Sequence, residues 1–325
     1  MTEKWNVYIT RQITEPALEL LREHCRVEVN PYGRPLTKEE MLEAVRGRDA
    51  VLCLLNDDIS EGVLEAARGA KIFANYAVGY DNLDVAAATQ RGILLSNTPG
   101  VLTDSTADIA FGLLMAVARR IAEADKWTRA GKFKGWGPMD FLGQEITGKT
   151  LGIVGGGRIG QKMAKRGRGF DMKIIYTGRR KSPDFEEATG GIYVTKEELL
   201  KEADFISLHV PLTPETRHYI GEKELKLMKK SAILINTARG PVVDEKALVE
   251  ALKTGEIWGA GLDVYEEEPL LAPGLAQLAN AVLVPHIGSA TWETRTKMGL
   301  MAAENILSAL RGKLPPNCLN PEIYQ

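Results

Sequence analysis

The chain has 325 residues, a formal net charge of −2, and hydrophobic and charged fractions of 44% and 26%. That is ordinary usage for a globular protein, and the length suits about two domains. The balanced charge argues against an extended basic face for nucleic acid and against an acidic tail, and the longest apolar stretch, 107–118, is too short to span a bilayer and carries Asp108.

The first hundred residues alternate short β-rich runs with helical patterns. VYIT (7–10) predicts a strand, and EPALELLREH (15–24) a helix with Thr14 as N-cap and Pro16 in its first turn. VEVN, TKEEMLEAV and AVLCLL (50–55) repeat the alternation, followed by KIFANYAV (71–78), a helix around DVAAATQRG, and ILLSN. Strands alternating with helices imply an α/β fold with a parallel sheet covered on both faces. Thr98-Pro99-Gly100 interrupts the series, and one long helix is predicted from about Thr103 to Arg129. The Gly-rich stretch 131–149 predicts a loop. A second α/β series then begins at TLGIV, with further strands at MKIIYT, 205–210, 232–238, 259–264 and 281–286, a helix at 244–255, and a last helix at 292–311.

The three cysteines, Cys25, Cys53 and Cys318, are scattered, which suits free thiols in a reducing compartment better than a disulfide framework. The four histidines show no ligand spacing and no flanking carboxylate cluster, so no metal site is expected. The N-terminus MTEKWNVYITR lacks a basic-then-apolar leader, and the expected location is the cytoplasm.

TLGIV runs directly into Gly155-Gly156-Gly157-Arg158-Ile159-Gly160, which contains G-x-G-x-x-G. The three spaced glycines permit a tight turn, close approach of the backbone to a pyrophosphate, and close helix–sheet packing; the following helix offers N–H groups and a positive dipole to phosphates. The strand–motif–helix–strand context turns a weak pattern into a dinucleotide site. In an NAD site an acidic residue about 20 positions on would bind the ribose hydroxyls. Here that place holds Gly178, followed by Arg179, Arg180 and Lys181. Without the carboxylate, and with two guanidinium groups, the site suits a 2′-phosphate, so NADP(H) is the expected cofactor, with NAD(H) as the alternative. A solvated basic loop is the plainer reading of the same residues.

Three later segments place polar residues just past apolar runs, where strand ends of an open α/β sheet face the ligand crevice. They are Arg239 in ILINTARG, Asp263 and Glu268 in GLDVYEEEP, and His286 in VLVPHIGS. A carbonyl reduction needs a hydride donor and a proton donor. An imidazole, with an ordinary pKa of about 6.5, becomes a better proton donor near neutral pH beside a carboxylate, which raises that value and orients the ring. An arginine can bind a substrate carboxylate and polarise the carbonyl oxygen, where negative charge develops. Each of the three residues alone has a plain structural reading.

In this order, GGGRIG, NTARG, DVYEEEP and VPHIGSAT resemble the D-isomer-specific 2-hydroxyacid dehydrogenases. AVGYDNLDV (77–85), STADIAFGLL (105–114), HVPLTPETRHYI (209–220) and PPNCLNPE (315–322) carry the likeness over nearly the whole chain. Within the family the nearest likeness is to glyoxylate/hydroxypyruvate reductases. The resemblance implies two Rossmann-like domains, with a doubly wound NAD(P)-binding domain (99–288) inserted into a flavodoxin-like substrate domain built from 1–98 and 289–325. It places the active site in a cleft between them, closed by a hinge.

The catalytic set it implies is Arg239 on the substrate, His286 as acid/base, and Glu268, the Glu directly before Pro, tuning His286 in preference to Glu266 or Glu267. Asp263 would hold the nicotinamide carboxamide, with Thr106, Pro211, Thr237, Ala238 and Gly288 also at the cofactor. The backbone N–H groups of Val78 and Gly79 would meet the substrate carboxylate, with Leu54, Leu55 and Arg295 near the pocket. The 131–145 loop, with Trp136 and Met139, resembles a dimerisation arm, which implies a homodimer. Phosphite, D-lactate and phosphoglycerate dehydrogenases are the rivals within the family. Phosphite dehydrogenases carry Lys where Val78 stands. A dinucleotide-sensing corepressor of the same fold is the rival from another class.

Overall fold

The computed structural model describes residues 4–324. The chain divides into two compact α/β units, one formed by the segment up to Leu102 together with the segment from Ser289, the other by Thr103–Gly288.

The first unit holds a five-stranded parallel sheet of β1 (Trp5–Ile9), β2 (Cys25–Val29), β3 (Ala50–Cys53), β4 (Ile72–Asn75) and β5 (Leu94–Ser96), in the order β2-β1-β3-β4-β5. This is the flavodoxin-like order. Every residue of β3 and β4 is buried, as expected of central parallel strands covered on both faces. The helices Glu15–His24 and Trp292–Leu310 pack on one another, and the second also lies against β3, β4 and β5. Asn320 completes the unit: its Oδ1 accepts from the Leu95 N–H (2.8 Å) and its Nδ2 donates to the Ile93 carbonyl (3.0 Å).

The second unit holds a seven-stranded parallel sheet: β6 (Thr150–Val154), β7 (Lys173–Thr177), β8 (Ile192–Tyr193), β9 (Phe205–Leu208), β10 (Ile233–Asn236), β11 (Gly259–Leu262) and β12 (Ala281–Leu283). Their order is β12-β11-β10-β9-β6-β7-β8, so the direction of winding reverses at β6. Ligands of doubly wound sheets bind beyond the carboxyl ends of the strands at such a reversal.

Three sequence expectations change. The break between units falls at Leu102–Thr103 rather than at Pro99, at the start of the helix Thr103–Ala118. The expected long helix is two, Thr103–Ala118 and Ile121–Arg129. Arg120 between them adopts a left-handed backbone (φ 54°), which ends a right-handed helix. The Ala118 carbonyl accepts instead from the Gln144 N–H (2.7 Å), and the Arg120 guanidinium turns onto Glu123 (2.7 Å). Thr14 does stand at the N-cap of the first helix, but its buried hydroxyl makes no capping bond. The 131–149 stretch is a loop. Cys25, Cys53 and Cys318 are free thiols.

Candidate active site

The Gly-rich turn follows β6 directly. Gly155 has φ +103°, and a Cβ there would stand 2.6 Å from the His209 carbonyl oxygen; a Cβ at Gly160 would collide with the Gly155 carbonyl. Both glycines are therefore required by close backbone packing. Gly156 backs onto Tyr176 and Phe185, whereas Gly157 faces open space at the N-cap of the helix Arg158–Arg168. Gly157 and Arg158 are exposed there, and Ile159 is partly buried.

Beyond β10, the Thr237 hydroxyl is buried without a hydrogen-bond partner. An exposed glycine cradle at a helix N-terminus, together with an orphaned hydroxyl at a strand end two strands away, fits a dinucleotide whose phosphates and ribose supply the missing acceptors. Gly178 follows β7 and its carbonyl accepts from the Tyr193 hydroxyl (3.1 Å). Arg179, Arg180 and Lys181 are exposed; Lys181 pairs with Glu186 (3.2 Å), and the charge of Arg179 reaches Glu215, helping to lower its carboxyl pKa after a leading hydrogen bond from Thr213. Pro211 is exposed, and its carbonyl accepts from the Thr216 hydroxyl (2.6 Å).

The acid–base residues converge. His286 Nδ1 lies 3.0 Å from Glu268 Oε2. The carboxylate accepts, so Nδ1 carries the proton; among the described residues Nε2 has no hydrogen-bond partner. The other Glu268 oxygen accepts from the Tyr265 N–H (3.1 Å). Burial raises the Glu268 carboxyl, but the hydrogen bond and charge of His286, the Tyr265 N–H and the charge of Arg239 outweigh it, and the net shift is downward. Glu268 thus remains an ionised acceptor.

His286 itself has φ +53°, a conformation that side chains other than glycine rarely adopt. Two contacts hold it. Asp263, buried just past β11, accepts from the Ile287 N–H (2.5 Å) through Oδ1 and from the Gly288 N–H (2.8 Å) through Oδ2. The Tyr265 hydroxyl donates to the Val284 carbonyl (2.8 Å). Burial raises the Asp263 carboxyl, and the two N–H bonds and the charge of His286 only partly offset it. Asp263 therefore anchors the turn that carries His286, and each of its oxygens keeps a second lone pair for another donor. Gly288 and the side chain of Thr106 lie beside it.

Arg239 stands just past β10, its carbonyl accepting from Asn236 Nδ2 (2.9 Å) and its guanidinium donating to the Ala238 carbonyl (3.0 Å). A Cβ on the next residue, Gly240, would collide with the Tyr265 carbonyl, so the Arg239 turn is packed directly against the segment that carries Glu268.

The residues expected at the substrate carboxylate lie in the first unit, described by itself. Asn97 Nδ2 donates to the Val78 carbonyl (2.8 Å) and Asn75 Nδ2 to the Gly79 carbonyl (2.9 Å). With the carbonyls pinned, the N–H groups of Val78 and Gly79 have no partner among the described residues, an arrangement that can receive an anion. The Leu54 N–H donates to buried Asp57 (2.7 Å), which also accepts from the Thr10 hydroxyl (2.5 Å), and Leu55 follows it. The Arg295 carbonyl accepts from the Tyr76 hydroxyl (2.5 Å), and its side chain is exposed. Asn75, Asn97, Asp57 and Tyr265 were not legible as supports of the site, since the sequence does not show which backbone groups their side chains meet.

The sequence profile described as D-isomer specific 2-hydroxyacid dehydrogenase, NAD binding domain, matches residues 111–288. The chain is 55% identical over 324 residues to a glyoxylate reductase of Thermococcus litoralis, covering 98% of each. The chain belongs to the D-isomer-specific 2-hydroxyacid dehydrogenases. Among solved structures of similar proteins, the TT0316 protein of Thermus thermophilus superimposes with a TM-score of 0.92 at 46% identity, over 97% of this chain and 99% of that one. An NADPH-dependent glyoxylate/hydroxypyruvate reductase of Sinorhizobium meliloti, solved with NADP and malonate, gives a TM-score of 0.85 at 31% identity over 98% and 97%. Among the described residues no helix is long and apolar enough to cross a membrane, and no group of His, Cys, Asp and Glu is placed to hold a metal ion.

Proposed function

We propose that this dehydrogenase reduces small 2-oxo acids, glyoxylate and hydroxypyruvate first, with NADPH preferred over NADH. The observation that carries the reaction type is the His286–Glu268 pair at 3.0 Å, with Nε2 unbonded among the described residues. Bound reduced nicotinamide supplies the hydride. Gly155–Gly160, Arg158, Ile159, Thr237, Ala238, Pro211, Thr106, Asp263 and Gly288 hold the dinucleotide, and Arg179 and Arg180 hold its 2′-phosphate. Support for that preference is the absence of a carboxylate at Gly178 and the exposure of both arginines.

Arg239 binds the substrate and draws charge onto its carbonyl oxygen, and the N–H groups of Val78 and Gly79 receive its carboxylate. Leu54 and Arg295 are the further substrate residues in this reading. As the oxygen gains charge, protonated His286 delivers the Nε2 proton and a 2-hydroxy acid results. With Nδ1–H held by Glu268, reduction uses the doubly protonated ring, the form that carries a proton on Nε2. Oxidation of the 2-hydroxy acid uses the same Nε2 as base.

The domain roles follow from this reading: Thr103–Gly288 binds the dinucleotide, and the other unit the substrate. We also infer a homodimer through the 131–145 loop, where Trp136 and Met139 are 85% and 75% exposed, a large apolar surface for a monomer to leave in water. Free thiols at all three cysteines suit a cytoplasmic location.

The test is a kcat/KM panel of glyoxylate, hydroxypyruvate, pyruvate, phosphohydroxypyruvate and phosphite with both cofactors. The two small 2-oxo acids with NADPH should lead. Tight dinucleotide binding without turnover of any substrate would refute the enzyme reading.

A further inference from the structure

Glu245 is a buried carboxylate that the reaction, as read above, does not use. It is 4% exposed and opens the helix Glu245–Thr254, whose N-cap is Asp244. Its Oε1 accepts from the Glu266 N–H (2.9 Å) and its Oε2 from the Ala272 N–H (3.1 Å). The bond is returned: the Glu245 N–H donates to Glu266 Oε2 (3.3 Å). Glu266 Oε1 in turn meets His218 Nε2 (2.6 Å) and lies 3.5 Å from Arg217.

The two N–H groups that Glu245 holds bracket the segment 266–272, and Glu268 projects from within that bracket. Tyr265, one residue before it, is fixed three ways: its carbonyl against Gly240, its N–H on Glu268 Oε1, and its hydroxyl on the Val284 carbonyl of the His286 turn. Buried carboxylates that accept two backbone N–H bonds fix loops rigidly, because any movement strands both donors and the charge.

We propose that Glu245 and Glu266 are positioning residues for the acid–base pair, a reciprocal clamp that sets the Glu268 carboxylate at hydrogen-bond distance from His286 Nδ1. The clamp acts through Glu268, so the inference rests on the acid–base reading. The charged groups facing His286 are Glu268 and Asp263; those facing Glu268 include Arg239 as well as Glu245.

The decisive variant is Glu245→Gln in the full-length enzyme. A glutamine offers one acceptor oxygen where two N–H groups need one each, and its amide faces the second N–H with a donor. The pH dependence of kcat with glyoxylate and NADPH, the Kd for NADPH and the Tm are measured together. Its alkaline limb should move to lower pH, in the same direction as in Glu268→Gln, with NADPH affinity held to within about twofold. In the double variant the limb should sit where Glu268→Gln alone puts it, since a residue acting through Glu268 has nothing left to position. A lowered Tm with the limb in its wild-type place would overturn the clamp, as would a shift that adds to that of Glu268→Gln. If Glu245→Gln does not fold, Glu266→Ala, which releases the other side of the clamp, carries the same comparison. If Glu268→Gln itself leaves the limb unmoved, the acid–base reading falls first. If it moves the limb and the clamp variants do not, the clamp alone is refuted.

Discussion

Replacing Glu268 by glutamine keeps the size and one acceptor oxygen, which can serve His286 Nδ1–H while the Tyr265 N–H meets the amide, and removes the charge. With Nδ1 and Oε2 3.0 Å apart, the charge centres are roughly 4 Å apart, and such an attraction is about 1 kcal/mol in bulk water and about 4 kcal/mol at an effective dielectric of 20. The His286 and Glu268 side chains are 25% and 31% exposed, between those limits. A value of about 2 kcal/mol corresponds to about 30-fold in rate at about 1.4 kcal/mol per tenfold. The sign follows from the pair. Burial raises the Glu268 carboxyl, but the hydrogen bond and charge of His286, with the Tyr265 N–H and the charge of Arg239, bring it below its ordinary range, so an ionised carboxylate faces the ring.

Glutamine withdraws that attraction, and the alkaline limb of kcat for reduction should move to lower pH, with little change well below it. At a pH above the wild-type limb the variant should be about 30-fold slower. The assay is initial rate of NADPH consumption with saturating glyoxylate across the pH range. A uniform loss at every pH, with the limb in its original place, would show that Glu268 does not act through the charge of His286.

His286→Asn should abolish reduction, a loss of at least about 100-fold in kcat, while fluorescence titration with NADPH gives a nearly unchanged Kd; full retained turnover would remove the ring from the chemistry. Substituting Arg179 and Arg180 by neutral residues should weaken NADPH by about 10-fold or more and leave NADH nearly unaffected, each lost charge-assisted bond being worth about 1.5–3 kcal/mol; equal weakening of both would sink the assignment. Burial depresses the His209 pKa to about 3. The unfolded chain therefore takes up a proton below about pH 6.5 that the native state refuses, and stability falls as pH drops from about 6.5 toward 3. By pH 5 this amounts to about 2 kcal/mol at most. His209→Gln should lose less stability than wild type between pH 7 and 5 in urea unfolding, and parallel losses would contradict the burial argument.

Apolar runs announced the strands of both sheets, because central parallel strands such as β3 and β4 are buried on both faces and read as unbroken hydrophobic stretches. β8 escaped because it is two residues long at an edge, with Ile192 65% exposed. The helix break at Arg120 escaped because nothing in the local sequence forbids a continuous helix; the left-handed turn is fixed by Gln144, far along the chain, taking the Ala118 carbonyl. At the site, Arg239, Glu268 and His286 were legible because each follows a strand. What holds them was not. Glu245 reads as an ordinary first-turn acid, and Tyr265 as a core aromatic, until their partners at Ala272 and Val284 are brought alongside.

The first unit is assembled from two ends of the chain, and this fixes the order in which a growing polypeptide can mature. When Leu102 leaves the ribosome, all five strands of that unit exist, yet the helix Trp292–Leu310 that covers β3, β4 and β5, and the Asn320 amide that bonds beside β5, have not been synthesised. The continuous segment Thr103–Gly288 has everything it needs first. The later-born unit thus matures earlier, and the first-born sheet waits with an apolar face uncovered. Nascent chains stalled before Trp292 should hold a protease-resistant second unit beside a protease-sensitive first one.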